Sequence, residues 1–142
     1  MQQLIILRSI GRTISRMKFE NICWKAYFKI NSESKIKLMI KKLEKVIEKP
    51  ITVISSQKYW KDNSLYEVSF TTQLGIDEVE KAIFEVLRTY KLLGYDCHIV
   101  GPENYEGEKW SFEGICSRTN ISGLEWISFN IQNYVDLYEQ ML

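Results

Sequence analysis

Residues 21–30 alternate: Ile22, Trp24, Ala26, Phe28 and Ile30 share one face of an extended chain, with Lys25 and Lys29 on the other. A period of two with one apolar side describes a half-buried strand and does not suit a helix. Such a strand folds only if another layer covers its apolar side. The next segment supplies one. Asn31 or Ser32 caps a helix, in which Ile36, Met39, Ile40, Leu43, Val46 and Ile47 form an apolar stripe. Lys35, Lys37, Lys41, Lys42 and Lys45 cover its remaining surface, and Pro50 stops it.

Two strands follow, near 51–59 and 64–72, joined by the turn Lys61-Asp62-Asn63-Ser64. Gly75 opens a second helix with the stripe Ile76, Val79, Ile83, Val86, Leu87, Tyr90 and Leu93, and Gly94 fits its C′ position. Asp77, Glu78 and Glu80 complement the dipole at its start. Tyr95 to Val100 reads as a strand that Gly101-Pro102 breaks, and residues 103–108 read as a polar loop. Aromatic strands near 109–117 and 124–131 come next, and Tyr134, Leu137, Tyr138 and Met141 fall at helical spacing. The order βαββαβ predicts an α+β, ferredoxin-like antiparallel sheet with two helices on one face, extended by a C-terminal β-hairpin and short helix. With 142 residues, this is a single domain over 18–142 behind a basic segment, 1–17, that carries Arg8, Arg12 and Arg16. That segment reads as a surface helix or a stretch from an upstream start codon, with Met17 as a second candidate start. Its arginines also resemble an organellar presequence.

No apolar run reaches the roughly 18 residues of a membrane helix, and the N-terminus is a poor secretory signal. Three cysteines make no disulfide framework, so the expected compartment is the reducing cytoplasm. Cys23, Cys97 and Cys116 lack metal-ligand spacing and read as small buried hydrophobes. His98, the only histidine, points to the opposite side of its strand from Cys97 and reads as a polar edge residue. No phosphate-binding, nucleophile-elbow or zinc motif occurs. The expectation is therefore no catalytic residues, no metal, no cofactor and no evident small-molecule ligand.

Charge and exposed aromatics carry what functional signal there is. Residues 1–49 hold 12 Lys/Arg and 4 Asp/Glu, whereas residues 50–142 hold 7 and 14. A net charge of +1 thus hides +8 followed by −7. The bland account places the two helices side by side with compensating charges; the functional one is a dipolar surface that steers a partner. Glu103, Glu106 and Glu108 surround Tyr105 in the polar loop, and Trp60 sits at a hairpin tip. Aromatics with a charged rim suit a protein interface, so these five residues are the candidate partner site. Trp24, Trp110 and Trp126 are assigned to the core.

In size, single α/β domain, absence of catalytic motifs and the late strands Trp110-Ser111-Phe112-Glu113-Gly114 and Gly123-Leu124-Glu125-Trp126-Ile127-Ser128-Phe129, the chain resembles the small cytoplasmic immunity proteins of bacterial contact-dependent and polymorphic toxin systems. The resemblance implies a non-catalytic protein that neutralises a cognate toxin domain, often a nuclease. An alternative is a small enzyme or ligand-sensing domain on the same fold. An RNA-binding domain fits less well: its third strand should carry a Gly-rich aromatic run, and Leu65-Tyr66-Glu67-Val68-Ser69-Phe70 has no glycine. Net charge likewise argues against a generally basic nucleic-acid binder.

Overall fold

The computed structural model describes residues 19–134. The basic segment 1–17 and the expected C-terminal helix past Tyr134 lie outside the described residues. Strand β1, Phe19–Lys29, follows the alternation, burying Ile22, Trp24, Ala26 and Phe28. After a short 3₁₀ turn at Glu33–Lys35, helix α1 covers Ile36–Ile47. It buries Ile36, Met39, Ile40, Leu43 and Ile47, and Val46 lies at the stripe's margin. Ser32 starts the turn without a side-chain cap bond. Glu48 ends α1 in the left-handed region, ahead of Pro50.

Strands β2, Thr52–Lys58, and β3, Leu65–Ile76, form the expected hairpin. β3 runs through Gly75, which takes a positive φ of 61° inside the strand rather than opening a helix. Helix α2 spans Val79–Leu93 and buries Ala82, Val86, Thr89 and Leu93. The innermost line is thus rotated from the one expected. The small Ala82 and Thr89 face inward, while Phe84 is exposed. Gly94 has an extended backbone and leads straight into β4, Gly94–Glu106. β5, Lys109–Thr119, and β6, Leu124–Gln132, complete a meander.

The sheet is six-stranded, in the order β2-β3-β1-β6-β5-β4, and every pairing is antiparallel. This corrects the ferredoxin-like expectation. In that fold the strand after the second helix would sit beside β1; here β4 goes to the far edge and β6 returns to β1. The expected appended hairpin is therefore part of the central sheet. Packing supplies the reason. β6 offers Leu124, Ile127, Phe129 and Ile131 to the core, all buried, which suits a central strand. β4 offers only half-buried Cys97 and Ile99, and it carries Pro102, which cannot donate to a ladder and belongs on an edge.

One cluster unites the apolar faces of α1, α2 and the sheet. Among the described residues no helix lies on the opposite sheet face, which mixes polar and apolar side chains: Lys25 of β1 pairs with Ser69 and Ser128, and Ser128 with Ile115. The sheet curls toward this face, since Ile54 of β2 and His98 of β4 line the same groove. Cys97 and Cys116 lie opposite one another in the β4–β5 register and are joined by a disulfide. This corrects the reading of both as free buried thiols. Cys23 is exposed rather than buried.

Lys49, just past the end of α1, reaches Glu85 of α2 at 3.3 Å, and within α2 Arg88 Nε donates to Glu85 at 3.1 Å. Arg88, then Lys49, hold the Glu85 carboxyl below its ordinary range against the opposing effect of burial. A depressed carboxylate pKa stabilises the fold above the unfolded value, and the gain is lost as pH falls through the folded value. Glu85→Gln is therefore expected to lower stability at neutral pH by about 0.5–1 kcal/mol after solvent screening. Urea unfolding at pH 7 and near pH ~3 checks this: the deficit should shrink in acid, and a pH-independent deficit would remove the ion pair as its cause.

Candidate functional site

Strand register separates the expected site residues into two groups. Trp60 lies in the β2–β3 turn, at the end of the sheet where β1 finishes with Lys29. Glu103, Tyr105 and Glu106 belong to β4, and Glu108 to the tight turn before β5, at the other end of the strands and the other edge of the sheet. Five inter-strand spacings, roughly 24 Å along the sheet, divide the two edges. Trp60 and the acidic group are thus at diagonally opposite corners and do not form one site.

The acidic corner was expected to be a loop. Instead β4 continues past Gly101-Pro102, with a register shift between Val100 and Glu103, and reaches Glu106. Asn104 Nδ2 donates to the Gly107 carbonyl at 2.7 Å, closing the turn. Gly107 has a φ of 59°, so the turn needs its freedom from a side chain. Tyr105 is 59% exposed. Its hydroxyl lies 3.3 Å from Ser111 Oγ, which donates to it, and its ring meets Tyr134 edge-on at 5.8 Å. Glu106 approaches Lys109 at 3.9 Å; Glu103 and Glu108 make no ion pair among the described residues. The hairpin thus presents an oriented aromatic ring among exposed carboxylates. Behind it, Asn133 Nδ2 donates to the Glu108 carbonyl and its Oδ1 accepts from the Trp110 amide, tying the turn to the end of β6.

The opposite corner is aromatic and basic. Tyr27 and Trp126 project from the uncovered sheet face, and their rings stack at 4.5 Å and 23°. Trp126 is half-buried there, so its assignment to the core is corrected; Trp110 is also only half-buried, and Trp24 alone of the three is fully enclosed. Tyr59 meets Tyr27 edge-on at 4.9 Å, and Trp60, 81% exposed, follows Tyr59 at 6.3 Å. Burial, then the hydrogen bond its hydroxyl donates to Glu67 at 2.9 Å, raise the Tyr27 pKa well above the usual phenol range. Lys61 Nζ sits 5.0 Å from the Trp60 ring centre. Beside the turn, Lys29, Lys35 and Lys58 line a groove of about 510 Å³ with Asn31, Asn63 and Ser64. The sequence signal for this corner was Tyr27, an aromatic on the polar side of the first strand. Its partners come from β2 and β6 and could not be read locally.

Between the corners, the curled face holds a groove of about 580 Å³ lined by Cys23, Lys25, His98, Glu113 and Asn130 among others. Cys23 and His98 both face it, but β6 and β5 lie between their strands, roughly 14 Å along the sheet. No cluster of potential metal ligands occurs among the described residues, and no described helix is long and apolar enough to cross a membrane.

No family model, curated protein or solved structure matches the chain.

Proposed function

We propose that this protein is a non-catalytic binding protein that neutralises a cognate toxin domain by direct contact, with a basic, nuclease-like domain as the target. The observation that carries this reading is the β4–β5 hairpin end, where Tyr105 is exposed among Glu103, Glu106 and Glu108. A tyrosine fixed by a neighbouring hydroxyl and ring loses little entropy on binding, and its surrounding carboxylates favour a cationic surface. Carboxylates can also stand where a nuclease would hold phosphates. Trp60 is no longer part of this surface, because it lies at the opposite corner. The reading places the protein in the cytoplasm. The Cys97–Cys116 bond favours an oxidising compartment instead, and a thiol count on protein taken from cells decides between them.

The test is co-expression with the C-terminal domain of the neighbouring gene's product. Relief of growth arrest and a purified complex are expected. Reversing Glu103, Glu106 and Glu108 together to lysine should slow association about tenfold at low salt, with circular dichroism unchanged because all three side chains are exposed. A neighbouring domain that neither arrests growth nor binds the chain overturns the proposal. Association indifferent to the triple reversal removes the hairpin from the site.

A further inference from the structure

A second surface lies at the opposite corner, and we infer that it binds single-stranded nucleic acid, stacking a base on Trp60 and seating the adjoining phosphates in the Lys29–Lys35–Lys58 groove. The first argument is the exposure of Trp60. Trp60 is 81% exposed at a turn, so its ring is open to a ligand. The turn that carries it is well ordered by hydrogen bonds. The Tyr59 amide donates to the Leu65 carbonyl at 2.9 Å, and the Leu65 amide to the Asp62 carbonyl at 3.0 Å. Tyr59 braces it from behind against Tyr27 and Trp126. The ring is therefore presented on a prepared support, which suits stacking more than adaptive burial.

Charge selects the occupant. Lys29, Lys35 and Lys58 have no acidic neighbour in the groove lining and no ion pair among the described residues. Lys61 adds a fourth cation, over one face of the Trp60 ring. Two nearby acids offset part of this charge: Asp62 accepts from the Ser64 hydroxyl and amide, which together with the charge of Lys29 lower its pKa, and Glu67 accepts from Tyr27 and Gln57. An excess of cations next to an exposed aromatic fits a ligand that joins flat rings to phosphates. A duplex hides its ring faces, so the single-stranded form is the better fit. A net charge near zero does not oppose this, because the compensating carboxylates of the hairpin lie at the far corner.

Fluorescence anisotropy with labelled oligouridylate and oligothymidylate of about 12 nucleotides tests the inference on the full chain. Binding should weaken steeply with salt. Trp60→Ala should weaken it at least about fivefold, and Lys29→Glu with Lys58→Glu should weaken it further and flatten the salt slope. These side chains are exposed, so folding is retained and is checked by circular dichroism. Preference for the ribose or deoxyribose probe assigns RNA or DNA, and a duplex of equal length should bind less well. No binding of either strand at low salt, or binding unaffected by Trp60→Ala, overturns the inference. The hairpin triple reversal should leave this binding intact or stronger, so failure here and failure of toxin neutralisation are read separately.

Discussion

Replacing Trp24 by alanine is expected to cost about 3–5 kcal/mol of folding free energy. Trp24 is 2% exposed and stands on β1, between β3 and β6. Its ring stacks near Phe70 at 6.1 Å and lies 6.1 Å from Phe129, so truncation opens a cavity that rigid neighbours cannot fill. It also strands a polar group. Trp24 Nε1 donates to Thr72 Oγ1 at 2.9 Å, and Thr72 is 1% exposed. A buried hydroxyl left without its partner adds to the loss. Equilibrium unfolding in urea measures the total. Trp24→Phe with Thr72→Val keeps an apolar ring and removes the stranded hydroxyl, so it should recover part of it. A Trp24→Ala protein within about 1 kcal/mol of the native chain would show that this core is not closely packed.

The second large effect comes from adding a single carbon. Gly114 lies opposite Phe129 in the β5–β6 register. A Cβ built there would stand 2.6 Å from Phe129 Cε2 and 2.8 Å from Cζ. The ring cannot withdraw easily, because Tyr90 stacks on it at 5.2 Å and Phe112 lies at 5.4 Å. Gly114→Ala is therefore expected to cost about 1–3 kcal/mol through overpacking. Phe129→Leu made in that background should relieve part of the cost, whereas Phe129→Leu alone should destabilise. That opposite sign is the signature of direct contact in a double-mutant cycle. Simple additivity would show that glycine is not needed there for the ring's close approach.

Alternation made the inward face of the first strand legible, but not that of β5 or β6. Trp24 was assigned to the core from its place between Ile22 and Ala26, and it is there. Trp126 was assigned to the core on its residue type, and it instead stacks on Tyr27 on the uncovered face. The parity of its own strand held the answer. Ile127 and Phe129 cannot both point inward with Trp126 unless the strand is irregular. The Gly101-Pro102 pair was read as a stop, although a proline is tolerated on an edge strand. That reading turned Glu103, Tyr105 and Glu106 into loop residues. The structure places them on a strand and so gives them a fixed direction.

The sequence by itself determined the type and order of the described elements, the inward faces of β1 and α1, and the division of charge into a basic first third and an acidic remainder. These properties are local: a period of two or of 3.6 is written within ten or fifteen residues. Tertiary structure decided that β6, not β4, lies beside β1. That choice is a competition among strands for the central position, settled by how much apolar surface each can bury. It also decided which side chains share a corner. Trp60 was grouped with the acidic residues because all were exposed aromatic or charged positions. Strand order and direction put them at opposite ends of the sheet, with the hairpin carboxylates at one corner and Trp60 beside Lys29, Lys35 and Lys58 at the other.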